Sequence, residues 1–281
     1  MTQHTLFITI LENTRSLRMD LQMENYTSQN AKAIDSWVEE GWMWGIPVSP
    51  EECEKARNGE WGLLLTPTTF VPKDWFPPLL GANVLGLASG GGQQMPILSI
   101  LGANCTVMDL SDKQLESERE VARREGYEIN IVKADMTKRF PFEDNSFDII
   151  FHPVSNVYIE DVHHVWRECY RVLRPGGVLL SGLDNGLNFL FTDYDNPLTV
   201  SETLPFNPLK NPSQMESLLA DGEDSVQFSH TFDDQIGGQL KAGFMLTAAY
   251  EDTDHNPDVL CKAMADAGIA AYWATRAIKC V

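Results

Sequence analysis

The feature that most constrains this chain is the run Val84-Leu85-Gly86-Leu87-Ala88-Ser89-Gly90-Gly91-Gly92-Gln93-Gln94. It reads as a short apolar strand entering three consecutive glycines that open a helix. The glycines remove every Cβ where the chain must turn tightly, and they leave bare backbone for a ligand to lie against. A glycine-rich turn alone is common in α/β proteins. Here it is followed by Val107-Met108-Asp109, with a carboxylate closing a second apolar run, by Ala134-Asp135-Met136 after a third, and by Phe147-Asp148-Ile149-Ile150-Phe151 as a fourth. Together these runs indicate a nucleoside-binding α/β core.

From Val84 onward, strand and helix patterns alternate. Strands are predicted over 83–88, 105–109, 128–133, 147–152 and 178–183, with helices near 93–101 and from 113 to about 125. Ser111-x-x-Gln114 reads as a reciprocal capping box at the start of the second helix, and Gly126 as its end. Val162, Val165, Trp166, Cys169, Val172 and Leu173 share one helical face before Pro175-Gly176-Gly177, which is predicted to stop that helix. Thr231 with Asp234 is expected to cap a helix with Phe232, Ile236 and Leu240 as its apolar face. Strands over 244–250 and 271–279, with a short helix over 257–267 between them, complete the pattern. The expected fold is a Rossmann-like, doubly wound, seven-stranded sheet, mostly parallel, with helices on both faces. Its last strand is expected antiparallel between the fifth and the sixth.

Two regions fall outside the alternation. Residues 23–80 hold five of the seven tryptophans (Trp37, Trp42, Trp44, Trp61 and Trp75) and read as an aromatic N-terminal cap. Residues 184–230 are rich in Asn, Pro and Asp and read as an insertion before strand six; long irregular insertions are often functional lids. The division expected is therefore an extension (1–22), the cap (23–80), a cofactor-binding core (81–183), the lid (184–230) and a C-terminal helix with closing strands (231–281). Met19 and Met23 leave room for residues 1–22 to be dispensable.

Charge narrows the partners. A formal net charge of −19 gives a surface that repels phosphate backbones and anionic lipid, so nucleic acid and membrane are not expected partners. Arg119, Arg123 and Arg124, spaced along a helix, read as a solvated face. The five cysteines are scattered without a C-x-x-C pair, which implies neither a disulfide framework nor a zinc knuckle. Reduced thiols in the cytoplasm are the reading, and no spacing supports a metal site. The apolar stretch 6–11 is too short to span a bilayer and lacks the basic flank of a signal peptide.

In an open parallel sheet the ligand lies beyond the carboxyl ends of the strands, where their order reverses. The Gly90–Gly92 loop belongs there, and Asp109 sits where a carboxylate accepts ribose hydroxyls. That much suits NAD, FAD or S-adenosylmethionine equally. Asp135-Met136 adds an acceptor for an adenine amino group and an apolar side chain for its face.

At this point the chain resembles the class I S-adenosylmethionine-dependent methyltransferases, in particular the small-molecule group that includes the ubiquinone/menaquinone-biosynthesis type. The resemblance covers roughly residues 82–183. It rests on the glycine loop, Val107-Met108-Asp109-Leu110-Ser111, Ala134-Asp135-Met136, Phe140-Pro141-Phe142 leading to Ser146-Phe147-Asp148, and Arg171-Val172-Leu173-Arg174-Pro175-Gly176-Gly177. It implies that Ala88, Ser89, Gly90, Gly91 and Gly92 contact the methionine portion, with Gln93 and Gln94 beside them. Asp109 would hold the ribose, next to Leu110 and Gln114; Asp135 and Met136 would hold the adenine, and His152, Pro153, Val154 and Ser155 would line the sulfonium side. The chain departs from the family at Gly86, where an acidic residue is usual, and at Ala88, where a glycine is usual. Gln93 and Gln94 are candidates to replace the missing acid. After strand four, His152-Pro153-Val154-Ser155-Asn156-Val157-Tyr158 lacks the Asn-Pro-Pro-Tyr-like signature of enzymes that methylate amide or nucleobase nitrogens.

The function expected is transfer of a methyl group from S-adenosylmethionine to a small molecule, leaving S-adenosylhomocysteine. Such a displacement mainly needs donor and acceptor aligned and water excluded, so no catalytic residue is assigned; His152 and Tyr158 are the candidates. Trp42, Trp44, Asn156, Tyr158 and His230 are candidate substrate contacts. Each also has an ordinary structural reading: packing for the tryptophans, a helix start for Asn156 and Tyr158. His163 and His164 are adjacent on a helix and cannot face one ligand together. Asp109→Asn, which keeps the shape and one acceptor, is expected to be milder than Asp109→Ala. Two other readings remain: an NAD-dependent oxidoreductase, which explains the loop and Asp109 but not the later motifs, and a non-catalytic S-adenosylmethionine-binding module. The sequence does not specify the methyl acceptor or the oligomeric state.

Overall fold

The computed structural model describes residues 26–191, 199–220, 224–254 and 259–281; the predicted extension 1–22 lies outside them. Seven strands form one sheet: β1 (Asn83–Leu87), β2 (Asn104–Asp109), β3 (Asn130–Lys133), β4 (Phe147–His152), β5 (Leu173–Asp184), β6 (Phe244–Asp252) and β7 (Tyr272–Lys279). Their order is β3-β2-β1-β4-β5-β7-β6. The strands from β3 to β5 pair in parallel, and β7 pairs antiparallel with both β5 and β6. This is the topology expected from the sequence, including the inserted last strand.

Alternation along each strand separates two cores. Val84, Ile149 and Leu180 face one layer, with Met95, Leu98, Val107 and Leu115. Their neighbours Leu85, Ile150 and Leu179 face the other, against Val165, Trp166 and Cys169 of the helix Val162–Val172. Successive side chains of a strand point to opposite faces, and both faces are covered. The described thiols are free: Cys53, Cys105 and Cys169 buried, Cys280 exposed. Among the described residues no helix is long and apolar enough to cross a membrane.

The helices are α1 (Tyr26–Glu39), α2 (Pro50–Arg57), α3 (Gln94–Ile100), α4 (Asp112–Glu125), α5 (Val162–Val172), α6 (Pro212–Ala220), α7 (Gly238–Ala242) and α8 (Val259–Asp266). The helix predicted over 257–267 thus begins partly outside the described residues. Four local expectations need correcting. The box at Ser111 is one-sided: its hydroxyl accepts the Gln114 N–H at 3.1 Å, but its own N–H goes to Asp109 Oδ1 at 3.0 Å rather than to Gln114. Pro175-Gly176-Gly177 does not stop α5, which ends at Val172, and Leu173 already has extended angles. A residue before proline is driven out of the helical region, so Arg174 must leave the helix, and Leu173 turns one residue earlier to begin β5.

The third correction lies before β6. Thr231 and Asp234 do cap each other, but Phe232 and Leu240 are exposed while Gln235, Gly238 and Gln239 are buried. One π turn at Asp233–Gly237 rotates the phase of the helix. Gly238 makes the close approach possible, since a Cβ there would stand 2.6 Å from Trp166 Cδ1. Finally, Arg124 is not simply solvated: Nη2 donates to the Val48 carbonyl at 2.6 Å and ties α4 to the N-terminal region.

That N-terminal region is itself divided. Leu63, Leu65, Val71 and Trp75 belong to the first core layer, and Phe76 stacks on Phe151 with centroids 6.2 Å apart. Residues 61–76 therefore cover one face of the sheet. From the same region, α1, the turn after it and residues 64–67 reach the carboxyl ends of the strands.

Candidate active site

Where the strand order reverses, between β1 and β4, a cavity of about 420 Å³ opens at the carboxyl ends of the strands. Ala88, Ser89, Gly90, Gln93 and Gln94 line it from the β1 turn. Asp109, Leu110 and Gln114 enter from β2 and α4, and Asp135 and Met136 from the turn after β3. Pro153, Val154, Ser155 and Tyr158 enter from the segment after β4, and Trp42 and Trp44 close over them.

The glycines do not act alike. Gly90 donates its N–H to Asp109 Oδ2 at 3.1 Å, and a Cβ there would lie 2.6 Å from Gln114 Cβ. Only bare backbone fits at this position. Gly91 and Gly92 have positive φ (+92 and +69) and turn away from the cavity. Gly91 N–H reaches the Gln114 carbonyl at 3.0 Å, and Gly92 N–H reaches Glu118 Oε1 at 2.9 Å. Neither lines the cavity; both shape the loop from beneath. Ala88 takes φ +45, a left-handed conformation that costs an alanine about 1–2 kcal/mol; this is the position where a glycine is usual.

Gly86 is explained by its neighbour. A Cβ on Gly86 would meet Met95 Sδ at 2.7 Å and Met95 Cγ at 2.8 Å. The Met95 thioether fills the space an acidic side chain would need. Gln93 and Gln94 line the cavity with most of their polar capacity engaged. Gln93 Nε2 donates to the Met43 and Ile46 carbonyls at 2.9 Å each, and Gln94 Oε1 accepts from Ser89 Oγ at 3.0 Å.

The acidic groups differ in state. Asp109 accepts from Gly90 and, through Oδ1, from Ser111 N–H; burial pushes its carboxyl up, and those amides pull it back. Glu118, wholly buried under the loop, is pushed up to about 8 by burial. Asp135 Oδ1 accepts the Thr137 N–H at 2.8 Å, while Oδ2 accepts from Thr27 Oγ1 at 3.0 Å.

His152 does not line the cavity. It is fully buried, with Nδ1 2.9 Å from the Leu87 carbonyl and Nε2 2.9 Å from Asn156 Oδ1. Burial lowers its pKa, and the hydrogen bonds to the Leu87 carbonyl and Asn156 work against that shift. Asn156 is likewise enclosed, donating to Gln235 Oε1 at 3.0 Å. His230 is buried and holds the Asn156 carbonyl at 2.9 Å. These three sequence candidates form a buried polar network behind the segment after β4 and do not line the cavity. Tyr158 is the candidate that does line the cavity. His163 and His164 diverge, to Asp234 Oδ1 (3.1 Å) and the Lys138 carbonyl (2.9 Å).

Sequence reasoning missed the floor and the roof. Thr27, Asn30 and Ile34 of α1 and Leu64–Pro67 line the cavity. Asn30 donates to the Tyr158 and Val226 carbonyls at 3.1 and 2.8 Å and accepts the Val226 N–H at 2.6 Å, which pins α1, the β4 segment and the insertion together. Nothing local marks such a residue. Asp184 was findable by the rule that found Asp109 and Asp135, a carboxylate at a strand's carboxyl end. It lines the cavity with Asn188, Phe189 and Phe191. No cluster of three metal-ligating side chains occurs among the described residues.

The comparisons agree with this geometry. A family model described as a methyltransferase domain matches residues 85–181. The chain is 42% identical over 261 residues to the methyltransferase YbaJ of Bacillus subtilis, covering 92% of this chain and 100% of YbaJ. It is 28% identical over 190 residues to the ubiquinone/menaquinone biosynthesis C-methyltransferase UbiE of a Ruegeria species, covering 65% of this chain and 71% of UbiE. Among solved structures, an S-adenosylmethionine-dependent methyltransferase from Mesorhizobium loti matches with TM-score 0.57 at 19% identity, over 73% of this chain and 94% of that one, a likeness of fold. Since the identity to YbaJ runs across nearly the whole of both chains, this protein belongs to the class I S-adenosylmethionine-dependent methyltransferases, in one family with YbaJ.

Proposed function

We propose that the cavity holds S-adenosylmethionine across the β1–β3 ends and a small-molecule acceptor between the β4 segment, α1 and the insertion. The observation that carries this is convergence: bare backbone at Gly90 and carboxylates from β2 and β3 face the same space that Tyr158, Asp184 and the Phe189 region enclose on the other side. The residues present fit the cofactor. Gly90 is a cradle that a Cβ would fill, and Gln114 Oε1 is buried there with no hydrogen-bond partner among the described residues.

In this reading Ala88–Gly90 receive the methionine portion, Asp109 the ribose hydroxyls, and Asp135 with Met136 the adenine. Pro153 and Val154 face the reacting side. When bound, the cofactor supplies an electrophilic methyl group on a sulfonium. The protein's own part is to hold an acceptor in line with that group and to keep water out, which in favourable cases is worth on the order of 7–11 kcal/mol. Trp42 and Trp44 add an aromatic wall, which attracts a sulfonium through its ring faces. The altered Gly86 does not argue for a non-catalytic binding module, because Met95 fills the space while the loop beyond keeps its cradle. The acidic surface favours a small acceptor over nucleic acid, and the unpaired thiols suit a reducing cytoplasm.

Titration calorimetry with S-adenosylmethionine, S-adenosylhomocysteine and NAD tests the assignment. Binding of the first two, weakened by Asp135→Ala and unaffected by Asn156→Ala, is the expected result. Binding of NAD alone would overturn it.

A further inference from the structure

The acceptor end of the cavity has a pronounced chemical bias. Among the described residues that line the whole cavity there is no lysine, arginine or histidine. Asp109 and Asp135 face the proposed cofactor end, but Asp184 and Asp254 lie at the other end, with Phe189, Phe191 and Tyr272. Asp184 closes β5 and is only 5% exposed. One of its oxygens accepts the Gly186 N–H at 2.6 Å and the other accepts Asn188 Nδ2 at 3.2 Å.

Asn188 is then fixed in orientation, since turning its amide over would set its oxygen against a carboxylate. Its Oδ1 is wholly buried and has no hydrogen-bond partner among the described residues. A buried acceptor without a donor is costly unless something supplies one. The Tyr272 hydroxyl does not meet this need, because it donates to Asp254 Oδ2 at 3.1 Å. Carboxylates and an amide oxygen therefore converge on this end of the cavity, and Asn188 Oδ1 has no donor among the described residues.

We infer that the acceptor is an apolar molecule carrying a protonated amine, seated by Asp184 and the free Asn188 Oδ1 with its apolar body against Phe189 and Phe191. An ammonium brings three donors and no acceptor, which suits the vacant Asn188 Oδ1 and the remaining lone pairs of the Asp184 carboxylate. It also brings a positive charge to a place where burial and then the neighbouring Asp254 push the Asp184 carboxyl up to about 6. Aromatic faces around it attract a cation further. A carboxylate or phosphate acceptor would meet the reverse situation, like charge with no basic side chain to answer it. The inference rests on the methyltransferase reading of the cavity.

Ligand-observed NMR on the full chain, saturated with S-adenosylhomocysteine, tests it with three probes of one skeleton: phenethylamine, phenethyl alcohol and hydrocinnamate. The amine is expected to bind roughly ten-fold more tightly than the alcohol, with no binding of the acid. Asp184→Asn is expected to bring the amine to the level of the alcohol while S-adenosylhomocysteine affinity stays within about two-fold of wild type. Should Asp184→Asn fail to fold, Asn188→Leu serves instead, with a several-fold loss for the amine and none for the alcohol. Equal binding of the three probes, preference for the acid, or no amine binding overturns the inference. So does an Asp184→Asn variant that loses S-adenosylhomocysteine as strongly as the amine, since the carboxylate would then serve the donor. A wild-type chain that binds no S-adenosylhomocysteine refutes the underlying reading instead.

Discussion

Asp109→Asn separates a carboxylate that merely waits for a ligand from one that also builds the loop. Oδ2 accepts the Gly90 N–H at 3.1 Å and Oδ1 accepts the Ser111 N–H at 3.0 Å. An asparagine has one acceptor and one donor, so whichever way it turns, its NH2 group points at a backbone N–H. One charge-assisted bond is lost and one donor is opposed, a combined cost of about 2–4 kcal/mol. For a chain of this length that corresponds to roughly 3–7 °C in the thermal midpoint. Asp109→Ala loses both bonds but opposes neither donor, and water can reach the vacated space. For stability, therefore, Asn is expected to be at least as damaging as Ala, although for cofactor affinity it keeps one acceptor. Cofactor affinity should fall as well, by roughly thirty-fold to a thousand-fold for Ala, because ribose hydroxyls lose their charged acceptor. Differential scanning fluorimetry and S-adenosylhomocysteine calorimetry on both variants read the two effects. A thermal midpoint for Asp109→Asn within about 1 °C of wild type, together with affinity within about two-fold, would refute the reasoning.

The same loop gives a pH prediction. Glu118 has a folded pKa raised from 4.5 to about 8, so the folded state holds a proton that the unfolded chain releases, and stability falls as pH rises through that window. At pH near 7 the penalty is roughly 3 kcal/mol. Glu118→Gln, which still accepts the Gly92 N–H, is expected to remove it, leaving the midpoint unchanged near pH 4.5 and raised near pH 8; an equal shift at both values would refute this. Gly86→Asp is expected to cost on the order of 1–3 kcal/mol by overpacking Met95, and Met95→Ala to recover part of it; strict additivity in urea melts would show that the two positions do not share space. Cofactor binding should quench Trp42 and Trp44 but not Trp61 or Trp75, so a Trp42→Phe/Trp44→Phe variant should lose the fluorescence response; a response retained in full would place the change elsewhere.

The sheet was legible because each strand is nearly pure in its pattern. Phe147–His152 is bounded in the structure as the sequence bounds it, and Asn83–Leu87 differs from expectation by one residue. The antiparallel direction of β7 does not follow from connection length, since the link from Asp252 to Tyr272 carries a helix and is long enough for a parallel return. What misled was local chemistry that tertiary contacts override. Phe232 and Leu240 are apolar at helical spacing, yet one π turn sends Gln235 and Gln239 inward. Asn156 and Thr275, at 3.0 and 3.1 Å, already wait there as hydrogen-bond partners. A hydrophobic pattern assumes a fixed period, and a single extra residue in one turn breaks that assumption.

The site divides along the same line. Side chains at strand ends were legible, because topology alone sends them to the cleft: Asp109 and Asp135 line the cavity, and Asp184 follows the same rule. His152 also ends a strand, but its ring lies buried between the Leu87 carbonyl and Asn156, away from the cavity. Strand position predicts which end of the sheet a residue reaches; it does not predict whether a helix will close over it. The closing elements come from far away in sequence. Asn30 meets Val226 across 196 positions and Thr27 meets Asp135 across 108. Such pairs leave no local trace, since each residue is ordinary where it stands and acquires its role only when a partner arrives. Acceptor specificity is therefore the least readable part of the chain. In the proposed arrangement, the donor half of the cavity is built by one continuous stretch of alternating strands and helices, whereas its acceptor half is assembled from α1, the β4 segment, the end of β5 and the insertion, four pieces with no shared periodicity.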